Sequence, residues 1–282
     1  MKPIKVLFLT LLALVAFAGN SILCRLALKQ TRIDAASFTF VRILSGAAAL
    51  WLILRVRNTD WRRSGNWLSA LALFFYAAAF SFAYRELSVG TGALLLFGAV
   101  QATMILGGLR LGERFDPMQM VGLLLAISGL ITLLFPGLSA PPLTGSILML
   151  GAGVAWGIYS LSGKSEINPA TATGGNFIRA VPFAALAGLA TLRWAQVDLP
   201  GIGYAIVSGA ITSGVGYVVW YSALPGLKAT SAATVQLSVP VLAATGGILL
   251  LGEGITLRYL LASAVTLGGI ALVIFEKRAR NF

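Results

Sequence analysis

One stretch of this sequence occurs twice and constrains the fold more than any other feature. Residues 104–135 and 244–275 share the tripeptides Leu111-Gly112-Glu113 and Leu251-Gly252-Glu253 at a constant offset. Each copy is an apolar run, a short break that carries charge, and a second apolar run. This pattern is typical of a helical hairpin in lipid, and its repetition predicts a chain built from two similar halves.

The composition places both halves in a membrane. Only 11% of the residues are charged and 58% are hydrophobic, whereas a soluble domain has about 25% charged residues. A bilayer core about 30 Å thick is crossed by about 20 helical residues. Ten runs satisfy that length: 4–24, 35–54, 67–84, 89–109, 117–135, 144–162, 170–192, 200–221, 229–251 and 256–275. We therefore expect an all-α membrane protein with ten transmembrane helices.

The repeat extends beyond the doubled stretch. Phe40-Val41-Arg42 resembles Phe177-Ile178-Arg179, so the runs divide into two groups of five. We place the first five-helix repeat at residues 1–138 and the second at 139–282. Because five is odd, the second half enters the membrane from the opposite side. Two inverted halves predict a central cavity near the midplane and a carrier that opens to either side in turn.

The net charge of +12 gives the orientation. With a cytoplasmic N-terminus, thirteen cations lie in inside segments, six in outside segments and two within spans. This bias predicts that both termini are cytoplasmic, and the scattered cations argue against nucleic-acid binding. The start, with Lys2 and Lys5, imitates a signal peptide. We expect it to be retained, because the apolar run continues to Leu23 and has a partner in the second half.

The residue types exclude several kinds of site. With one cysteine and no histidine, the chain has no intrachain disulfide, no zinc site of the usual ligands and no Ser-His-Asp triad. All nine acidic residues lie in breaks or at span ends, so no carboxylate is placed for a proton relay at the midplane. We expect no enzyme activity and no cofactor, and a uniporter or exchanger. A coupling ion held by carbonyls and hydroxyls remains an alternative.

Aromatic residues recur at helical spacing inside three spans. They form stripes on one helix face each: Tyr76, Phe80 and Tyr84; Trp156 and Tyr159; Tyr217 and Tyr221. We interpret them as lining the cavity and binding substrate. The alternative is ordinary lipid contact or, for Tyr84 and Tyr221 near their span ends, a place in the interfacial aromatic belt.

Polar residues within the spans are the other candidates. Asn20, Gln101 and Gln236 cannot face lipid without a free-energy penalty, so they either bind substrate or join helices. Arg42 and Arg179 occupy repeat-related positions and are candidate anion contacts. Their alternative is snorkelling to the headgroups, or pairing with backbone carbonyls.

The acidic residues of the doubled stretch have a simpler expected role. Glu113 and Glu253 follow the fourth and ninth spans, directly before the last span of each half. We expect each to cap the helix that follows it or to place a negative charge at its start, because a helix N-terminus favours an anion.

The doubled Leu-Gly-Glu, the ten-span pattern and Gly268-Gly269 near the last span together resemble the drug/metabolite transporter superfamily. Within it the chain is similar to the EamA-type members, and most like the bacterial aromatic amino acid exporters of the YddG type. The resemblance implies export of amino acids, including aromatic and other large apolar ones, across the inner membrane by alternating access. The alternative cargo is a lipophilic cation, a drug or another small metabolite. The expected partners are the small-molecule substrate and the lipid bilayer, with a monomer as the expected state.

Overall fold

The computed structural model describes residues 3–62, 64–110, 117–135, 140–163, 168–223, 226–227 and 235–279. Within these ranges the regular structure is helical throughout, as the sequence predicts. Ten long helical segments follow in chain order: α1 Pro3–Gln30, α2 Ala35–Val56, α3 Trp67–Ala83, α4 Val89–Arg110, α5 Pro117–Leu134, α6 Leu143–Gly163, α7 Pro169–Ala190, α8 Leu199–Ala223, α9 Ser238–Leu251 and α10 Leu257–Ala279. A 3₁₀ turn, Leu192–Trp194, lies between α7 and α8.

Each predicted span coincides with one of these helices. α1 extends beyond its predicted span and continues to Gln30, although its apolar run ends near Leu23. The early part of the predicted ninth span falls in residues 228–234, outside the described residues, as does the proposed repeat boundary within 136–139. Among the described residues, five helices, α1, α2, α4, α6 and α8, are long and apolar enough to cross a membrane, and four others contain shorter apolar segments.

The outer surface of the helices is apolar, as lipid contact requires. Phe8, Leu124 and Leu186 have 60–65% of their surface exposed. Contiguous exposed apolar surface of this kind would promote aggregation in water, whereas a bilayer covers it.

The two copies of the doubled stretch meet along α5 and α10. A Cβ atom on Gly129 would lie 2.7 Å from the backbone nitrogen of Thr266. A Cβ on Gly269, the equivalent residue of the second copy, would lie 2.5 Å from the carbonyl oxygen of Gly122. Glycine at both positions therefore lets the helix backbones approach closely. This reciprocal contact is the one that a two-fold relation between the halves predicts.

Two aspartates join the halves at the helix ends near Gln30. The Asp34 carboxylate caps α2 by accepting from the Ala36 and Ser37 backbone N–H groups, and it also accepts from Gln196 at 2.8 Å. The Asp198 carboxylate caps α8 and accepts from the backbone N–H of Arg32 at 3.1 Å. Each aspartate thus fixes its own helix start and the loop of the other half.

Asp34 makes this junction dependent on pH. Partial burial raises the pKa of the Asp34 carboxyl, but the hydrogen bonds from Ser37, Gln196 and Ala36 outweigh burial and hold the pKa below its usual value. Because its pKa is lowered on folding, the ionised Asp34 carboxylate stabilises the folded protein. This stabilisation is fully present above the pKa of Asp34 in the unfolded chain, which is about 4, and it is lost as the pH falls through the lower pKa of the folded protein.

We expect Asp34→Ala to lower the free energy of unfolding by about 1 kcal/mol at neutral pH, the usual effect of losing an N-cap. The difference from the wild type should shrink as the pH falls below about 4. Thermal unfolding of the detergent-solubilised protein across a pH series measures both effects. Asp60→Ala, in the exposed α2–α3 loop, is the matched control. A pH-independent difference, or an equal loss for the control, contradicts the assignment.

Candidate functional site: a central cavity

A cavity of about 360 Å³ lies between the two halves. Eight of the ten residues predicted to bind substrate line it: Asn20, Tyr76, Phe80, Gln101, Trp156, Tyr217, Tyr221 and Gln236. Other lining residues were not predicted from the sequence, chiefly Phe17, Phe97, Ser160, Thr212 and Trp220. Phe17 and Trp220 were detectable, since they are aromatic residues within predicted spans, but they lack a stripe of their own.

Trp156 is the centre of the aromatic wall. Its ring centroid lies 4.8 Å from that of Tyr76 and 5.0 Å from that of Tyr217. Tyr159 stacks on Trp156 at 5.3 Å. Three helices, α3, α6 and α8, therefore contribute one continuous aromatic cluster, which joins the two halves of the chain.

Two predicted binding residues stand behind the cavity wall. Tyr159 supports Trp156 by stacking, and its hydroxyl donates to Thr173 at 3.4 Å. Tyr84 is fully buried, packs edge-on against Phe80 at 4.7 Å and donates to the carbonyl oxygen of Val89. Tyr84 therefore lies in the protein core. It neither lines the cavity nor belongs to the interfacial aromatic belt.

Arg42 lies inside the protein with 2% of its surface exposed. Its Nη2 donates to the Tyr76 hydroxyl at 3.2 Å and to the Ser213 hydroxyl at 3.4 Å. Its guanidinium also lies 4.9 Å from the ring centroid of Phe80. Nη1 has no hydrogen-bond partner among the described residues, and none of their carboxylates is within salt-bridge distance of Arg42.

Arg179, the repeat-related arginine, has a different environment. Its guanidinium donates to the carbonyl oxygens of Ser64 at 2.8 Å and Arg62 at 2.9 Å. It also lies over the ring of Trp61 at 5.6 Å. Pairing with backbone carbonyls, the alternative weighed for this residue, therefore describes Arg179, and its donors do not point into the cavity.

Asn20 is held by a π-helical segment in the middle of α8, Val207–Val215. The Asn20 amide oxygen accepts from the Ser208 hydroxyl at 2.7 Å. The Thr212 hydroxyl, which donates to the carbonyl oxygen of Ser208 at 2.8 Å, lies 3.4 Å from the same amide oxygen. Its amide nitrogen donates to the Tyr76 hydroxyl at 3.3 Å. π-Helical turns are rare in proteins, and those that are found often lie at functional sites. The sequence signal for this segment is weak, because hydroxyl residues in an apolar run do not reveal a change of helix type.

The cavity reaches one side of the helix bundle and is closed at the other. Its lining extends to Gly163, Pro169 and Gln236, at helix ends on the side where α1 begins. At the far end of α1, Arg25 pairs with Glu253 at 3.3 Å, and both side chains are about nine-tenths buried.

Further hydrogen bonds reinforce this closed end. Arg25 also donates to the carbonyl oxygens of Tyr84 and Arg85, and Glu253 accepts from the backbone N–H of Val89 at 2.7 Å. Glu253 therefore caps α4 and not the helix that follows it, so the expectation for this residue is wrong. The reason is Gly252, whose left-handed backbone (φ 64°) ends α9 and turns the chain. Glu113 lies outside the described residues.

Comparison with known proteins identifies the family of this chain. The EamA-like transporter family matches residues 4–135 and again residues 143–275. The chain belongs to the EamA-like transporter family. The double match agrees with the two repeats predicted from the sequence. The family consists of transporters, which confirms the prediction that this chain is a membrane transporter and not an enzyme.

Relatives of this EamA protein include an uncharacterized protein of Pseudomonas aeruginosa, 54% identical over 98% of the chain and 96% of the relative. The threonine/homoserine exporter RhtA of Escherichia coli is 33% identical over 82% of the chain and 78% of the exporter. One solved crystal structure aligns with 97% of this chain over 99% of its own length, with a TM-score of 0.66 and 17% sequence identity. At that identity the likeness shows the fold alone.

Proposed function

We propose that this transporter exports amino acids, including aromatic and other large apolar ones, across the bacterial inner membrane by alternating access. It works as a uniporter or an exchanger, and both termini are cytoplasmic. The observation that carries the proposal is the central cavity, whose walls are aromatic rings and side-chain amides and whose described lining contains no carboxylate.

The cavity suits an amino acid in size and chemistry. Its volume of about 360 Å³ falls within the range of small-molecule sites. Trp156, Tyr76 and Tyr217 offer flat apolar surfaces to a side chain, while Asn20, Gln101 and Gln236 offer hydrogen bonds to a zwitterion. The RhtA relatives are named for export of threonine and homoserine, which supports amino acids as the class of cargo.

The charges disfavour the alternative cargo, a lipophilic cation. A cation site usually includes a carboxylate, although aromatic faces also attract cations. Here the charged group behind the wall is Arg42, whose guanidinium lies 5.3 Å from the ring centroid of Tyr76. A positive charge at that distance repels a cation bound to the same ring.

The closed and open ends of the bundle support alternating access. With a cytoplasmic N-terminus, the side reached by the cavity faces the cytoplasm, and the Arg25–Glu253 pair closes the external side. This is the position in which an exporter loads its cargo. Release then requires the Arg25–Glu253 contact to open.

We expect purified protein in liposomes to move labelled amino acids down their gradients, with saturable flux and without a proton gradient. Trp156→Ala should raise the KM for tryptophan and phenylalanine about 30-fold, since a buried tryptophan anchor contributes 2 kcal/mol or more to binding. Trp194→Ala is the matched control, because Trp194 is exposed and lies outside the cavity.

Three results contradict parts of the proposal. Strict dependence on a proton or sodium gradient excludes the uniporter and exchanger. Flux that does not saturate indicates a pore. Displacement of a quaternary ammonium dye with no displacement of tryptophan favours the cation as cargo.

A further inference from the structure

We propose that the hydroxyl group of Tyr76 binds the carboxylate of the transported amino acid, and that Arg42 and Asn20 position and polarise this hydroxyl. This inference rests on the proposed function and assigns the recognition of one part of the substrate. Tyr76 is the residue that contacts the substrate. Arg42 does not line the cavity and acts on the substrate through Tyr76.

The hydrogen bonds of Tyr76 determine where its proton points. A phenol oxygen has one proton to donate and lone pairs that accept. Both neighbours are donors: the Asn20 amide nitrogen at 3.3 Å and the Arg42 Nη2 at 3.2 Å. The lone pairs are therefore used, and no described residue accepts the Tyr76 proton. Because Tyr76 lines the cavity, the proton is available to an acceptor within it.

The two neighbours act as donors in different ways. Arginine carries donors only. The Asn20 amide oxygen accepts from the Ser208 hydroxyl at 2.7 Å, and the amide nitrogen faces Tyr76. The Thr212 hydroxyl, 3.4 Å from the same amide oxygen, lies four residues further along α8.

The π-helical segment explains why these hydroxyls converge. In a π-helix the repeat is longer than in an α-helix, so residues four and five positions apart lie on nearly the same side. Ser208, Thr212 and Ser213 therefore face α1 and α2 together, the first two toward Asn20 and the third toward Arg42. The segment fixes the environment of Tyr76 from the second half of the chain.

Arg42 makes the site favourable to an anion. A guanidinium stays protonated in proteins, and an isolated buried charge without a counter-charge is strongly unfavourable. Arg42 is 2% exposed, has no carboxylate partner among the described residues, and keeps Nη1 without a hydrogen bond. A substrate carboxylate beside Tyr76 supplies the missing negative charge. The same positive charge polarises the phenol and strengthens its donation.

The test compares each amino acid with its carboxamide, which has the same side chain and ammonium group but no carboxylate. The probes are phenylalanine with phenylalaninamide, and threonine with threoninamide, in liposome flux and in thermal stabilisation of the detergent-solubilised protein. We expect the wild type to prefer the acid over the amide by at least about tenfold, the usual range for a hydrogen bond to a charged group. Tyr76→Phe should reduce this preference to near unity.

The variants separate recognition from structure. Tyr204→Phe removes a hydroxyl from α8 at a residue that does not line the cavity, and should leave flux and preference unchanged. Tyr217→Phe removes another cavity hydroxyl and should keep the acid-to-amide ratio, whatever its effect on rate. Arg42→Lys should retain part of the preference because it keeps the charge, and Arg42→Gln should lose it.

The outcomes are distinct for the two proposals. Equal handling of acid and amide by the wild type, or a preference that survives in Tyr76→Phe, overturns carboxylate recognition and leaves amino acid export standing. Stabilisation by the acids but not by the amides, without flux, contradicts export and supports the recognition site. Preference for the amides, which are cations, overturns both. Neither stabilisation nor flux with any of the four probes also overturns both.

Discussion

Gly209→Ala is expected to destabilise the protein by about 3 kcal/mol, because the added methyl group meets backbone as well as a side chain. A Cβ on Gly209 would overlap the carbonyl oxygen of Arg42 and the hydroxyl of Ser45. α2 and α8 would have to separate, which displaces Arg42 and Ser213 from each other. We therefore expect loss of monodisperse protein, or a strongly lowered melting temperature with little transport.

The same substitution elsewhere on α8 provides the control. Nothing lies within 4 Å of a Cβ placed on Gly203. Gly203→Ala should therefore keep the melting temperature or raise it, since alanine favours a helix over glycine by up to about 1 kcal/mol. Thermal unfolding monitored by size-exclusion chromatography compares the two variants. Equal stability of both would contradict the close α2–α8 contact.

The fold was predictable from the sequence because membrane helices have a strong local signal. Each span needs about 20 apolar residues, and the doubled Leu-Gly-Glu marks equivalent places in the two halves. The end of α1 was not predictable in this way. Its last turns carry Arg25 and Lys29, which end the apolar run, while the helix continues to Gln30. There Arg25 has acceptors from two other segments of the chain, Tyr84-Arg85 and Glu253.

The candidate site was predictable in part, for a related reason. Tyr76, Phe80, Trp156 and Tyr217 were found because aromatic and polar residues deep in a span need a cavity or a partner. Their order in space was not predictable. Trp156 on α6 meets Tyr76 on α3 and Tyr217 on α8 only because the three helices come together at the cavity, and such long-range packing has no local sequence signal.

The two arginines show the same limit. Arg42 and Arg179 are equivalent in the repeat, and the sequence assigned them one role. In the structure Arg42 turns inward to Tyr76, whereas Arg179 meets the α2–α3 loop and its backbone carbonyls. The α2–α3 loop, whose carbonyl oxygens accept from Arg179, differs in sequence from its counterpart between α7 and α8. The repeat thus predicts the scaffold, and departures from symmetry produce the site.

The closed end gives the second large expected effect. Glu253 pairs with Arg25 on α1 and caps α4 through Val89, so one carboxylate joins the ends of three helices. Glu253→Ala removes both interactions, which together favour the closed conformation by about 2 kcal/mol. Their loss should shift the ratio of closed to open molecules about 30-fold. Glu253→Gln should have a smaller effect, since its amide oxygen still accepts from Val89.

Labelling of a cysteine beneath the closed end measures this shift. Ser21 lies one turn before Arg25 and lines the cavity, so Ser21→Cys in a Cys24→Ala background reports access. We expect a membrane-impermeant maleimide added outside to label it slowly in that background and far faster once Glu253→Ala is added. Glu86→Ala is the matched control, because Glu86 caps α6 through Gly145 on the same side but has no ion pair among the described residues. If Glu86→Ala accelerates labelling as much as Glu253→Ala, loss of a helix cap explains the effect. If neither does, the Arg25–Glu253 contact does not close the cavity, and release must pass by another route.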